Sequence, residues 1–184
     1  MFLDDIIEKR RSFRALKKTS LKDDTIKKLA QAARLAPSCY NKQPWRYVFV
    51  KDKGVLNGLY ETLSSGNEWA KNSSMIIAVF SEKNEDCIVA KRNYYLFDTG
   101  MSVGFMLLKA TELGLVAHPI AGYSESSAKE VLNIPEKKRL ITLIIVGKKT
   151  ENTEMLSDEQ TETEKKRPKR KKFNEFAFLN KYEK

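Results

Sequence analysis

Three arginines and a serine stand within five residues near the start of the chain, in the segment Arg10-Arg11-Ser12-Phe13-Arg14. A guanidinium is planar and permanently charged, and its N–H groups match the oxygens of a phosphate. The serine hydroxyl can donate to the same group. The segment therefore predicts a phosphate-binding site. A solvated basic helix end, favoured by the helix dipole, is the alternative that this segment alone leaves open.

A polar loop with a proline on each side follows further along, in the sequence APSCYNKQPW over residues 36–45. Ser38, Asn41 and Gln43 can each donate and accept hydrogen bonds. A loop that Pro37 and Pro44 stiffen can present these groups to the edge of a heteroaromatic ring at a small entropic cost. The alternative is a plain connection in which the polar side chains satisfy the loop's own backbone.

The third candidate is His118-Pro119-Ile120-Ala121-Gly122-Tyr123, where a predicted strand opens into a turn. Gly122 permits a close approach of the backbone to a ligand, although a simple strand-to-helix turn explains it equally well. His118 is the single histidine, so a two-histidine metal motif is excluded. Because it precedes a proline, it is biased to an extended conformation and suits a catalytic triad poorly. We expect a structural role for it.

The chain has two cysteines, Cys39 and Cys87, which lie far apart and without CxxC spacing. Such spacing indicates neither a zinc site nor a disulfide framework. We therefore expect no metal site.

Length and composition predict one compact domain over residues 1–150 and an extension over residues 151–184. The 184 residues are 41% hydrophobic, enough for a core of that size. No apolar stretch approaches the ~20 residues of a membrane span, and the first residues lack the pattern of a secretory signal. We expect a cytoplasmic protein that does not bind a membrane.

Positive charge is concentrated in the first 150 residues, which hold 25 Lys and Arg against 16 Asp and Glu. In the extension, six acids over residues 151–164 precede seven bases over residues 165–172. A net positive charge attracts anions, from nucleic acids to small phosphates, but does not indicate which of them is bound.

Hydrophobic periodicity predicts alternating helices and strands. The predicted helices cover residues 3–11, 20–36, 52–63, 88–113 and 124–132, and the predicted strands cover residues 45–51, 74–80, 115–120 and 140–147. We expect Ser20 and Ser124 as N-caps and Gly114 as the end of the long helix. That helix is apolar almost all round, which predicts that it is buried or shared with another subunit.

The extension is polar over residues 148–172, and we do not expect those residues to pack internally. Four apolar residues follow, Phe173, Phe176, Phe178 and Leu179, and they predict docking on a distant surface such as that of a partner subunit. The glycine-rich phosphate motifs GxGxxG and GxxxxGK[ST] are both missing. A nucleotide would therefore have to be held by side chains.

Taken in order, RRSxR, APSxxNxQPW and PIxGY resemble the nitroreductase family of FMN-dependent flavoproteins. The match extends to residues 66–69 (GNEW), 98–100 (DTG) and 113–115 (LGL). RRSxR alone is a weak signal, whereas APSxxNxQPW is a strong one. The resemblance implies an α+β fold with a mainly antiparallel central sheet flanked by helices. It also implies a homodimer with FMN at the subunit interface, in which the C-terminal extension wraps the partner.

The resemblance also implies which residues contact FMN, most of them in the segments already described. The phosphate, ribityl chain and pyrimidine edge of FMN would be bound by Arg10, Arg11, Ser12 and Arg14. Arg14 is the candidate cation for the reduced ring. From the other subunit come Pro37, Ser38, Cys39, Asn41 and Gln43. Asn67, Pro119, Ile120, Ala121 and Gly122 lie along the ring, with a backbone N–H of Ala121 or Gly122 facing flavin N5. Further contacts to the phosphate would come from Lys169, Arg170 and Lys171.

The activity implied is an NAD(P)H-driven two-electron reduction of a nitroaromatic, a quinone or a related small acceptor through flavin N5. The cofactor supplies that chemistry, so no catalytic protein side chain is required. Dehalogenating and flavin-fragmenting branches of the family leave the electron donor and acceptor open. The alternatives are a flavin-storing or flavin-sensing protein without turnover, and a nucleic-acid binder that uses the basic residues 165–172. Nucleic acid is not the expected partner, because that reading leaves APSxxNxQPW unexplained.

Overall fold

The computed structural model describes residues 2–182, which form six α-helices and seven β-strands. The helices are α1 (Leu3–Lys9), α2 (Asp23–Arg34), α3 (Lys53–Tyr60), α4 (Tyr95–Glu112), α5 (Glu125–Val131) and α6 (Asp158–Lys165). The strands are β1 (Leu16–Lys17), β2 (Arg46–Val50), β3 (Met75–Ser81), β4 (Ile88–Val89), β5 (Arg92–Asn93), β6 (Val116–Ile120) and β7 (Arg139–Lys149). None of the helices described is long and apolar enough to cross a membrane.

A five-stranded sheet organises the fold, and every strand pair in it is antiparallel. The long strand β7 pairs with β3 and β6, and its C-terminal end pairs with β1. Strand β2 extends the sheet beyond β3. The predicted α+β class with an antiparallel central sheet is therefore confirmed.

Both faces of the sheet are covered by a hydrophobic layer. Successive side chains of a strand point to opposite faces, so Ile76 and Ala78 of β3 pack with α3 and α5. Met75, Ile77 and Val79 instead pack with α2 and α4. The apolar runs of β3 and β7 are explained by this burial on two sides, as predicted for central strands.

The long helix starts later than its hydrophobic pattern predicts. Residues 88–93 form the β4–β5 hairpin, because Ala90 and Lys91 adopt positive φ values of 50° and 64° and turn the chain. The helix α4 begins only at Tyr95. The prediction of a helix from residue 88 was wrong, since apolar spacing alone does not distinguish two-residue strands from a first helical turn.

Helix ends follow capping chemistry in part. The Ser124 side chain accepts a hydrogen bond from the backbone of Ser127, and Gly114 adopts φ +70° just beyond Leu113, the C-cap of α4, so both predictions are confirmed. The predicted cap Ser20 is wrong: α2 begins at Asp23, and Lys22 is its N-cap.

The expectation that the polar extension does not pack internally was wrong for α6. This helix begins with a capping box, in which Ser157 and Gln160 each bond the other's backbone. It lies against the N-terminal segment of its own chain, held by side-chain bonds to backbone groups instead of apolar contacts. A hydrophobic pattern does not record bonds of that kind.

Candidate functional site

A cavity of about 220 Å³ joins the arginine-rich segment to the C-terminal extension. All of the lining residues except one proline carry a guanidinium or a hydroxyl group, and none of them is acidic. They are Arg10, Arg11, Ser12, Arg14, Thr163, Arg167, Pro168 and Arg170. The geometry can therefore hold an anion that accepts several hydrogen bonds.

Helix α6 builds one wall of this cavity by docking on the arginine segment. The Arg11 guanidinium donates to the carbonyl oxygens of Thr163, at 2.7 Å, and Glu164, at 3.2 Å. Cations near the C-terminus of a helix bind its unpaired carbonyls favourably. The Glu164 carboxylate accepts from the backbone N–H groups of Arg14 (2.9 Å) and Ala15 (3.4 Å). The Arg11 guanidinium therefore holds α6 in place as one wall of the cavity.

The remaining arginines face each other without an acidic partner in the cavity wall. Burial lowers the pKa of Arg10 from its usual value, and the charges of Arg167 and Arg170 lower it further. Arg167 is held in place by the backbone, because its guanidinium donates to the carbonyl oxygens of Glu8 and, at 3.1 Å, Arg10. Like charges held together in this way are stabilised by a bound anion.

The C-terminal part of the predicted phosphate site is placed only partly as expected. Arg170 lines the cavity, whereas Lys169 and Lys171 do not and lie exposed on the following segment. Thr163 and Arg167 line it although they were not predicted. Arg167 belongs to the basic run that the sequence shows, but only the docking of α6 determines which members of the run face inwards.

The predicted turn after β6 packs tightly on Asn67. The Asn67 side-chain amide donates to the Gly122 carbonyl at 3.0 Å, and the backbone of Ser64 donates to the same oxygen at 3.0 Å. A Cβ atom at position 122 would overlap the Asn67 amide nitrogen. An alanine at this position would therefore have to displace the Asn67 side chain from its bond to Gly122, although the φ value of Gly122 is not positive.

His118 packs inside the molecule and joins three elements. Its ring stacks on Trp69 with 4.8 Å between centroids, and its Nδ1 lies 3.1 Å from the carbonyl oxygen of Phe13. Burial lowers the pKa of His118 to about 4, and the charges of Arg14 and Arg10 contribute. The neutral ring donates to Phe13 from Nδ1 at neutral pH, so the predicted structural role is confirmed.

This histidine predicts a pH dependence of stability. Its pKa is about 4 in the folded protein and near 6.5 in an unfolded chain. Between these values the unfolded state binds more protons, so the free energy of unfolding falls as the pH drops from about 6.5 to 4. The full loss due to this group is roughly 3 kcal/mol. Urea unfolding of the native protein and of His118→Gln at pH 7, 5 and 4 measures it; equal losses in both proteins would contradict the assignment.

The polar loop is anchored at several points and keeps an unusual backbone. The Ser38 hydroxyl accepts from the backbone of Gln43 at 3.0 Å, and the backbone of Cys39 donates to the Asp98 carboxylate at 2.6 Å. Tyr40, Asn41 and Gln43 have positive φ values of 47°, 55° and 48°. Asn41 is exposed, so its side chain is free to meet a ligand from outside this chain.

Cys39 of this loop forms a disulfide with Cys87, which precedes the β4–β5 hairpin. The expectation that the cysteines do not pair was wrong. The partners are 48 residues apart in sequence, and the tertiary fold alone brings their Cα atoms to 6.0 Å. Cys39 therefore has no thiol hydrogen to donate while the disulfide is intact.

Two buried carboxyl groups lie beneath this disulfide. Asp86 and Asp98 are 4% and 2% exposed. Burial raises the pKa of Asp86, and the neighbouring charge of Asp98 raises it further. Within residues 2–182 no three His, Cys, Asp or Glu side chains are grouped to hold a metal ion.

The structure unites some of the predicted site residues and leaves others apart. The arginine segment, residues 64–67 and residues 118–122 lie in one region. His118 bonds to Phe13 of the arginine segment and stacks on Trp69, and Gln160 of α6 bonds to Gly66 at 2.8 Å. Within that region Pro119, Ala121 and Gly122 are at least partly accessible, whereas Ile120 is buried. Residues 37–43 do not line the arginine cavity of their own chain.

A larger and mainly apolar groove, of about 590 Å³, lies away from these residues, between α1, α2 and α4. Its walls include Leu3, Leu35, Phe105 and Leu108. These side chains offer contact area and few hydrogen-bonding groups, so the groove suits an apolar segment better than a phosphate.

Comparison with known proteins identifies the kind of molecule to which this arrangement belongs. A family model described as the nitroreductase family matches residues 7–148. The chain is 28% identical over 148 residues to a putative NADH dehydrogenase/NAD(P)H nitroreductase of Archaeoglobus fulgidus, covering 77% of this chain and 82% of that protein. It is 27% identical over 169 residues to an iodotyrosine deiodinase of Thermotoga neapolitana, covering 79% and 87%.

The fold is also similar to that of a crystallised oxidoreductase containing FMN. The two structures superpose with a TM-score of 0.85 at 26% sequence identity, over 100% of this chain and 94% of the other. The likeness therefore extends through the C-terminal extension.

Proposed function

The chain belongs to the nitroreductase family of oxidoreductases, and from this premise we propose that it binds FMN and reduces a small electron acceptor with electrons from NAD(P)H. Nitroaromatics and quinones are the proposed acceptors. The observation that carries the proposal is the arginine cavity, since it presents several cations and hydroxyls in a wall without an acid.

The residues of this region fit FMN by their chemistry. A phosphate dianion would balance the facing charges of Arg10, Arg167 and Arg170, and Ser12 and Thr163 add hydroxyl donors. Arg14, whose guanidinium is 3.3 Å from the Thr163 hydroxyl, is the proposed cation for the pyrimidine edge. When bound, FMN supplies two-electron hydride chemistry at its ring.

Other residues of the region would orient the ring. Asn67 is fixed by its bond to Gly122 and is the proposed ring-edge contact. Residues 119–122 are proposed to lie along the ring: Pro119, Ala121 and Gly122 are at least partly accessible, and Ile120, whose side chain is buried, would contribute its backbone. The loop residues Pro37, Ser38, Cys39, Asn41 and Gln43 are proposed to reach the FMN of a second subunit. No protein side chain is assigned a proton-transfer role.

Absorbance spectra test this function directly. We expect purified protein to show flavin bands, or to acquire them with FMN, and to be bleached anaerobically by NADH or NADPH and restored by a quinone or a nitroarene. A colourless protein that stays so with added FMN would refute flavin binding and would favour an anion or nucleic-acid binder. A yellow protein that neither nicotinamide reduces would favour storage or sensing of FMN. Oxidation by a halogenated phenol alone would point to the reaction named for the Thermotoga relative.

We also propose that the active form is a cytoplasmic homodimer. Helix α4 exposes Leu96, Phe97 and Phe105, which are 47%, 63% and 42% accessible in one chain. A Cβ atom added at Gly100 or Gly104 of the same helix would meet no neighbouring atom of residues 2–182 within 4 Å, so that side is open to a second chain. Contiguous apolar surface of this kind is typical of an interface between subunits.

The C-terminal residues are proposed to dock on the partner. Phe173, Phe176 and Leu179 are 69%, 62% and 82% exposed in the single chain, which is unfavourable for aromatic and aliphatic groups. The apolar groove between α1, α2 and α4 is the proposed receptor. Because α6 packs on its own chain and Arg167 and Arg170 line a cavity there, only residues 173–182 are expected to cross to the partner.

Replacing Phe178 and Leu179 by serine is expected to weaken the dimer by about tenfold or more, since each buried side chain contributes about 1.5–3 kcal/mol. Sedimentation velocity over a concentration series measures the effect. Asn174→Ser, in the same exposed segment, serves as control and should leave the dimer unchanged. Equal dissociation constants for the native and double-serine proteins would contradict the docking.

A further inference from the structure

The disulfide between Cys39 and Cys87 fastens the polar loop that carries candidate flavin contacts. We propose that this pair is a reversible redox site whose reduction by a dithiol releases residues 38–43 from their present conformation. A second consequence, weaker FMN binding by the reduced protein, rests on the proposed function. The release of the loop does not.

The disulfide joins two segments that the sheet leaves separate. Cys39 begins a single 3-10 turn over Cys39–Asn41, and Cys87 lies at the base of the β4–β5 hairpin. The backbones of both cysteines are hydrogen-bonded, but Cys87 is buried, whereas Tyr40, Asn41 and Lys42, which follow Cys39, are exposed. The loop end is therefore the end that can move when the bond is cut.

The loop is held in a conformation that it would not keep unaided. Tyr40, Asn41 and Gln43 all have positive φ values, and of these Tyr40 is the bulkiest. A non-glycine residue in this region costs about 1–3 kcal/mol, and it persists only where its surroundings fix it. Tyr40 is 90% exposed, so its own side chain contributes little packing that would fix it.

Several hydrogen bonds hold the turn besides the disulfide. The N–H groups of Asn41 and Lys42 donate to the carbonyls of Ser38 and Cys39, and the carbonyls of Asn41 and Gln43 accept from the side chains of Gln43 and Arg46. The backbone of Cys39 donates to Asp98, and the Ser38 hydroxyl accepts from Gln43. Hydrogen bonds of this kind contribute about 0.5–1.5 kcal/mol each, or somewhat more with a charged acceptor. Together they are comparable to the cost of three non-glycine residues with positive φ values, so we expect removal of the covalent link to shift the balance.

The disulfide is open to exchange on one side. Cys87 is 7% exposed, whereas Cys39 is only half-buried and adjoins the exposed Tyr40. A dithiol attacks the Cys39 sulfur, the bond to Cys87 breaks, and the Cys87 thiolate takes up a proton. The second thiol of the reductant then displaces Cys39. Two electrons and two protons enter the protein, and the reductant is oxidised to its disulfide.

A cytoplasmic location, as proposed, gives such a pair its significance. Dithiol proteins keep cytosolic cysteines reduced, and the disulfides found there are usually transient, catalytic or redox-sensing. The conformation of the loop would thus depend on the ratio of reduced to oxidised dithiols in the cell.

Equilibration of the full-length protein with mixtures of reduced and oxidised dithiothreitol tests the proposal. Alkylation and mass measurement give the fraction of free thiols, hydrogen exchange reports residues 38–43 without flavin, and fluorescence titration gives the FMN affinity. We expect a two-electron titration and faster hydrogen exchange in the loop on reduction. We expect FMN binding to become about tenfold weaker, because one or two loop side chains must be ordered again on binding. Cys87→Ser should match the reduced protein in every buffer.

Each readout has its own contrary result. A pair that stays oxidised in excess dithiothreitol, or free thiols with unchanged exchange over residues 38–43, would overturn the redox site. A changed exchange rate with equal FMN affinity in both states would overturn the coupling to flavin. Absence of FMN binding in either state, together with a redox-dependent loop, would refute the proposed function and leave the redox site intact.

Discussion

Replacing Arg10 by glutamine is expected to weaken FMN binding by about ten- to a hundredfold, because a charge-assisted hydrogen bond contributes about 1.5–3 kcal/mol. Arg10 lines the cavity together with Arg167 and Arg170, and burial, followed by the charges of those two residues, lowers its pKa. Removing one of three facing cations from the site of a dianion loses attraction to the ligand. It also relieves repulsion in the empty protein, so stability without flavin should not fall through charge loss.

Riboflavin, which lacks the phosphate, separates this effect from a general disturbance of the site. The affinity of Arg10→Gln for riboflavin should equal that of the native protein, so the preference for FMN over riboflavin should shrink. Lys169→Gln removes the same charge from an exposed position outside the cavity wall and serves as the matched control. Fluorescence titration gives all six constants. Parallel losses for FMN and riboflavin would place the phosphate elsewhere.

The second large effect is expected from Gly122→Ala. The added methyl group would overlap the Asn67 amide, which Gly122 binds through its carbonyl. Overpacking of this kind costs about 1–3 kcal/mol. We expect a lower free energy of unfolding in urea and a loss of most FMN binding, since both proposed ring contacts shift together.

A second substitution distinguishes the overlap from the loss of a ligand contact. In the double variant Asn67→Ala/Gly122→Ala the amide is gone, so most of the lost stability should return while FMN binding stays weak. Asn67→Ala alone gives the reference affinity. Full recovery of FMN binding in the double variant would show that Asn67 does not contact the ring. Unchanged stability in Gly122→Ala would show that the close approach is not rigid.

Hydrophobic periodicity predicted most of the fold because burial determines it. Strands β3 and β7 are apolar on both faces, and they lie between two core layers as such a pattern indicates. The pattern failed where hydrogen bonds or turns decide the structure. Examples are the β4–β5 hairpin, which rests on the backbone of Ala90 and Lys91, and α6, which is held by Arg11 and Glu164.

The candidate site was predictable where its residues are close in sequence. The segment from Arg10 to Arg14 forms one wall of the cavity, and Asn67 meets Gly122. The opposite wall depends on where α6 docks, so spacing could not separate Arg167 and Arg170 from the neighbouring lysines. The disulfide was missed for the same reason, since 48 residues of chain separate its halves.

The wall that α6 contributes has a consequence for the order of biosynthesis. Residues 2–150 contain the whole sheet and emerge from the ribosome first, so they can begin to fold while synthesis continues. Thr163, Arg167 and Arg170 emerge after the last strand of the sheet. The nascent polypeptide would therefore possess its β-scaffold before it could retain a prosthetic group, and loading of the cofactor would follow formation of the sheet.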